Sequence, residues 1–151
     1  MNLSEHFTLA ELTRSDAATR LNIRNNPPPP VVEALRLVCV NVLEPVRAHF
    51  GKPVRLNSAY RSPKVNAAVK GAPTSQHMRG EAADFEVPGY SNGEVAAWVR
   101  ANLVFDQLIL EAYTPGQPSS GWVHCSWKAG PLRHSVLTFI PGRGYFEGLR
   151  L

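Results

Sequence analysis

The sequence predicts an α+β fold: a single compact domain spanning residues 1–151 and built on an antiparallel sheet. Three observations carry this expectation. The length suits one domain that buries roughly two-thirds of its unfolded surface, and the apolar share is ordinary for a globular chain. Helical periodicity dominates the first half, whereas the strand candidates of the second half are mostly consecutive. Strands that follow one another without crossover helices favour antiparallel pairing over a doubly wound sheet.

Each element has a local reason. In "FTLAELTRS", Thr8 stands three residues before Glu11, the spacing of a capping box, and Phe7 and Leu12 are placed for a hydrophobic staple. A short helix is expected there, ending in polar sequence before "NNPPPP". Pro27 to Pro30 have no amide hydrogens and form an extended connector, so residues 1–30 read as a helix and a proline-rich connector packed on the domain. Pro30 suits the first position of the next helix. That helix carries Leu35, Val38, Val42, Val46 and Phe50 at nearly helical period, with a kink expected at Pro45 and a stop at Gly51.

"PVRLNSAY" alternates like a strand. "RSPKVNAAVKG" is a short helix capped by Ser62, with Pro63 in its first turn and Gly71 as terminator. "SQHMRG" is a loop and "EAADFEV" a strand. Ser91 and Glu94 form a second capping-box pair opening the helix "GEVAAWVRANL". "DQLILEAY", "WVHCSW" and "VLTFI" complete the strand candidates.

Composition excludes several classes. No apolar run approaches the roughly 18 residues needed to span a bilayer, so membrane insertion is not expected. The start, "MNLSEHFTLAEL", lacks both the basic and the apolar regions of a signal peptide. A net charge of +4 without a basic run or recognition motif gives no ground for nucleic-acid binding. The two cysteines, Cys39 and Cys125, are expected to be buried, reduced and inert.

The chemistry gathers around "SQHMRGEAADF", residues 75–85. His77 and Asp84 supply a nitrogen and a carboxylate oxygen, with Gly80 turning the backbone between them. A catalytic zinc site needs three protein ligands and an open position. Among the other histidines, His6 and His49 lie in helical or pre-helical surroundings with no metal-ligand pattern of acidic or cysteine neighbours, and His134 follows "GPLR" in a turn. His124 stands mid-strand in "WVHCSW", where alternation gives Trp122, His124 and Ser126 one face and turns Cys125 to the other.

If "LILEAY" and "WVHCS" pair as a hairpin closed between Tyr113 and Trp122, Glu111 stands opposite His124, within reach of a water but not of the metal. His77, Asp84 and His124 with Glu111 as base are what metal-assisted hydrolysis requires. Arg61, in "SAYRSP", is the candidate cation for an oxyanion or a substrate carboxylate. Taken singly, each of these residues also suits a structural role: a core histidine, a turn-capping aspartate, a solvated glutamate, a surface arginine.

The run Ser75, His77, Gly80, Ala82 or Ala83, and Asp84 approximates "Ser-x-His-x-x-x-Gly-x-Ala-x-Asp". With "SAYRSPKVN" upstream and "WVHCS" downstream, the pattern resembles the zinc D-Ala-D-Ala carboxypeptidase family, peptidase M15, and most closely its short phage-type branch. The resemblance implies a hedgehog and D-Ala-D-Ala peptidase type of domain. It also implies one zinc per chain on His77, Asp84 and His124, Arg61 near the substrate, and polar support from Ser75 and Gln107. Several relatives carry a catalytic acid three residues before the last ligand, and here that position is Gly121. The short branch resembles this chain in having "QLI-x-Glu", which makes Glu111 the choice of base, with Asp106 and Glu81 as alternatives.

The function this resemblance implies is a zinc metallopeptidase of carboxypeptidase or endopeptidase type. It would be a monomer cutting a peptide bond of peptidoglycan, as a phage or prophage lysin. Such a protein would be made in the cytoplasm and act at the cell wall or periplasm after release by a separate partner. The alternative is a non-catalytic, zinc-retaining wall-binding or virion structural domain, which has no need of a carboxylate at Glu111.

Overall fold

A computed structural model describes all 151 residues. Six strands form one mixed sheet: β1 (Arg55–Ser58), β2 (Ala82–Glu86), β3 (Gln107–Glu111), β4 (Trp122–Ser126), β5 (Ser135–Ile140) and β6 (Gly144–Glu147). Their spatial order is β1-β2-β4-β3-β5-β6. All neighbours are antiparallel except β3 and β5, which run parallel. The fold is α+β as expected, and the sheet is antiparallel except at this one pair. β4 lies between β2 and β3, and β5, which runs opposite to β4, pairs with the far edge of β3 and so runs parallel to it.

The helices cover one face of this sheet. α1 (Leu9–Thr13) opens with the complete Thr8–Glu11 capping box, and Phe7 and Leu12 are both buried. α2 (Asp16–Leu21), capped by Ser15, forms in the polar sequence before the proline run, where no second helix was expected. α3 (Pro29–Val38) leads into a π-helical turn, Cys39–Leu43, and then α4 (Glu44–Phe50). The kink expected at Pro45 takes the form of this π turn, in which the Glu44 amide bonds the Cys39 carbonyl. The widened turn absorbs the clash that the proline ring would make with the carbonyl four residues earlier. Gly51 ends α4 at φ +64, as its position suggests.

α5 (Pro63–Ala68) is capped by Ser62, but its left-handed residue is Lys70 rather than Gly71. Gly71 has a different job: a Cβ there would collide with the buried Asn66 side chain. α6 (Asn92–Asn102) is capped by the Ser91 hydroxyl accepting from the Glu94 amide.

Strand alternation sorts the two faces. Ala83, Phe85, Leu108, Leu110, Val123 and Cys125 point toward the helices and join Leu35, Val38, Val42 and Val46 of the long helical segment, and Val95 and Val99 of α6, in one core. The opposite face has no helix over it, and every candidate site residue on the strands points there. No helix is long and apolar enough to cross a membrane.

Both cysteines are free and buried, and burial pushes the Cys39 thiol up to about 12 and Cys125 higher still. A thiolate is the reactive form, so neither should react at neutral pH. Titration with a thiol reagent should find no accessible thiol in the native protein and two after denaturation. Rapid native labelling would contradict this packing.

Candidate metal centre

The site begins with one strand pair. β2 and β4 align so that Asp84 stands directly opposite His124, on the open face of the sheet. His124 Nδ1 lies 2.8 Å from Asp84 Oδ1. His77 reaches the same oxygen from outside the sheet. It sits in a 3₁₀ turn, Gln76–Arg79, whose cap Ser75 accepts the His77 amide and whose exit, Gly80, has φ +70. A side chain at Gly80 would run into Val31, so the turn packs directly against α3.

The orientation of His77 is set by a backbone carbonyl. Its Nδ1 is 2.6 Å from Ala59 O, an acceptor only, so Nδ1 carries the proton and donates. That contact turns Nε2 toward the strands, 3.4 Å from Asp84 Oδ1. Such a partner on the far nitrogen is the usual way a metal-ligating imidazole is held. One ligand atom from each of His77, Asp84 and His124 falls within 4.8 Å of the others. Two imidazole nitrogens and a carboxylate fit zinc, and no sulfur competes because Cys125 faces the core. Burial by itself would raise the Asp84 carboxyl, but the neighbouring His77 and the His124 hydrogen bond outweigh it and hold it well below the usual range.

The cluster forms the floor of a cleft of about 720 Å³ whose walls include Arg61, Ser75, Gln107, Glu111 and Trp122. Arg61 Nη2 donates to Ser75 Oγ at 3.3 Å, while its Nε is buried without a partner in the chain. Burial lowers the Arg61 guanidinium, against the pull of Asp84. Gln107 lies on the cleft wall and donates its side-chain amide to Ser135 Oγ.

The hairpin register differs from the one expected. Glu111 stands opposite Trp122, and His124 opposite Ile109. The strands close at Glu111, because Ala112 turns at φ 49 and the buried Tyr113 leaves the hairpin to bond Phe139 on β5. The slip is two residues, so Glu111 keeps its face and joins the cleft diagonally from His124. Half-buried, it is pushed upward by burial and by Asp84, and pulled down by His124. The two other carboxylates are committed elsewhere. Asp106, hydrogen-bonded by Arg133, is held down to about 2, and Glu81 accepts from Arg79 and Gln76.

Residues 5–126 match a family model described as peptidase M15. The chain belongs to that family. Its members are zinc-dependent metallopeptidases, and the matched segment contains His77, Asp84, Glu111 and His124. No curated protein matches the sequence. β5 and β6 lie beyond the match, yet β6 contributes Tyr145 to the cleft of this M15 chain. Tyr145, Gln76 and Arg133 were missed in the sequence, and Asp106 was weighed only as an alternative base rather than as the partner of Arg133, since these contacts are long-range and carry no local motif.

At position 121 the structure leaves no room for a side chain. Gly121 adopts φ +68, and a Cβ there would collide with the Glu111 carbonyl oxygen. Gly121→Ala should destabilise the protein by about 1–3 kcal/mol, from positive φ and steric overlap together. Urea unfolding would measure it, and an unchanged midpoint would contradict this close approach.

Proposed function

We propose that this M15 chain hydrolyses a peptide bond of bacterial peptidoglycan, with zinc held by His77, Asp84 and His124 and Glu111 as general base. The observation that carries the reading is the convergence of three donor atoms within 4.8 Å, in a cleft that also holds an uncommitted, half-buried carboxylate. Zinc, when bound, supplies a Lewis acid that polarises the scissile carbonyl and acidifies the attacking water.

The protein's own groups do the rest. Glu111 accepts a proton from the attacking water and returns it to the leaving nitrogen. Its raised affinity for protons suits both halves of that transfer. Arg61, with a buried and unpartnered Nε, donates to the oxygen that gains negative charge. Ser75 steadies Arg61 from one side, and Gln107 lines the groove in which the peptide lies. The resemblance to the short phage-type branch extends this reading to a lysin, delivered to the wall by a separate pore-forming partner.

The purified protein should bind about one zinc per chain, and His77→Ala and His124→Ala should each lose most of it by elemental analysis. Full occupancy in both variants would sink the ligand assignment. Glu111→Gln should keep the metal while hydrolysis falls about 10²- to 10⁴-fold. Release of new amino termini or free D-alanine from purified peptidoglycan measures this, and mass spectrometry of the digest identifies the bond. Undiminished hydrolysis by Glu111→Gln would exclude it as the base. Arg61→Ala should stay folded by circular dichroism and keep zinc, yet lose about 10²- to 10³-fold in turnover. A folded variant with full activity would remove Arg61 from the site.

A further inference from the structure

The sheet register gives the cleft a direction. Asp84, His124 and Ile109 form the row that carries the metal donors. Glu111 and Trp122 stand in the row to one side, with Tyr145 beyond them on β6. Gln107 lies to the other side, and past the strand ends on that side the cleft is walled by Lys128 and Arg133. One end is thus aromatic and the other cationic.

Arg133 is held in an unusual way. Its partner Asp106 is only 1% exposed, whereas the Arg133 side chain is 55% exposed. Asp106 Oδ1 accepts the Arg133 backbone amide at 3.0 Å and Nε at 3.1 Å, while Oδ2 accepts Nη2 at 2.8 Å and Gln76 Nε2 at 3.1 Å. A guanidinium carries five N–H donors, so two are committed to Asp106 and three remain. A buried carboxylate therefore fixes the orientation of an exposed fork at the cleft wall. A loop anchor alone would need only the bond from the Arg133 amide. Lys128, half-buried on the same wall, forms no ion pair within the chain. Arg79, by contrast, is engaged by Glu81 at 3.0 Å.

Position sets the spacing. Ser126 and Lys128 are two and four residues along the chain from His124. At about 3.3 Å per residue Ser126, the last residue of β4, lies roughly 7 Å from it along the strand direction, and Lys128 stands just past that strand end. An extended peptide whose reacting bond sits over the metal donors would place its second or third residue from that bond at this end. We propose that Lys128 and Arg133 form a carboxylate-binding end of the cleft, selecting peptides with a free carboxylate two to three residues from the scissile bond. The proposal rests on the peptidase reading and adds a specificity determinant to it. Arg133 offers the planar, pre-oriented donors, and Lys128 the uncompensated charge.

The test compares two peptidoglycan stem peptides, one with its side carboxylates free and one with them amidated. Calorimetry with zinc-loaded protein measures binding, and a separate assay measures cleavage. The free-acid peptide should bind about tenfold more tightly. Lys128→Met should collapse that ratio toward one, and Lys128→Glu should invert it. Lys128 is at the cleft rim and holds no contact on which the core depends, so both variants should remain folded. Equal affinity of the two peptides for the wild type, or an undiminished ratio in Lys128→Met, would overturn the proposal. Selective binding without cleavage would support it while refuting the hydrolytic reading. Cleavage of both peptides with equal affinity would do the reverse.

Discussion

The antiparallel pairing of β2 with β4 is the constraint from which the rest of the site follows. It aligns Ala83 with Cys125 and Phe85 with Val123, all fully buried beneath the helices. Alternation then leaves Asp84 and His124 opposite each other on the face without helices. A slip of one residue would turn one strand over relative to the other, driving Asp84 or His124 into the core and lifting that strand's apolar side chains toward water. The apolar face therefore fixes the position of the polar one. The two donors are aligned by hydrophobic burial on the far side of the sheet, while His77 is aligned by a backbone carbonyl.

The second constraint is the closeness of β3 and β4 at their turn. Gly121 lies against the Glu111 carbonyl, where only a hydrogen fits. The side chain of Asn92 ties the same loop down, donating to the carbonyls of Ser119, Ser120 and Gly121. A carboxylate cannot be carried at position 121, yet the adjoining strand presents one at Glu111, on the same face and in the same cleft. A carboxylate on this wall of the cleft is thus presented by β3 rather than by β4.

Much of this was legible because it depends on local chemistry. The Thr8–Glu11 box, the helical spacing of Leu35 to Phe50, and the faces of "WVHCS" and "EAADF" follow from periodicity and capping, and they place Asp84 and His124, two of the three candidate donors. What escaped depends on partners distant in sequence. The hairpin register was set by Tyr113 leaving for β5, which no turn signal between residues 112 and 121 announces. The parallel β3·β5 pair joins strands separated in sequence by β4. α2 and β6 are short, and their weak patterns are stabilised by packing. Asp106 and Arg133 are 27 residues apart and join only when β3 and the segment before β5 meet. Their role at the cleft could not be inferred from either residue's neighbours.

The central claim is that two imidazoles and one carboxylate on the open sheet face hold a zinc ion. X-ray absorption at the zinc edge of the metal-loaded protein tests this most directly. The account predicts a first shell of two nitrogens at about 2.0–2.1 Å and oxygens at about 2.0–2.2 Å, with imidazole outer-shell scattering and no sulfur. A shell with a single imidazole, or with sulfur at about 2.3 Å, would contradict it, because Cys125 could ligate only if the β2–β4 register were wrong.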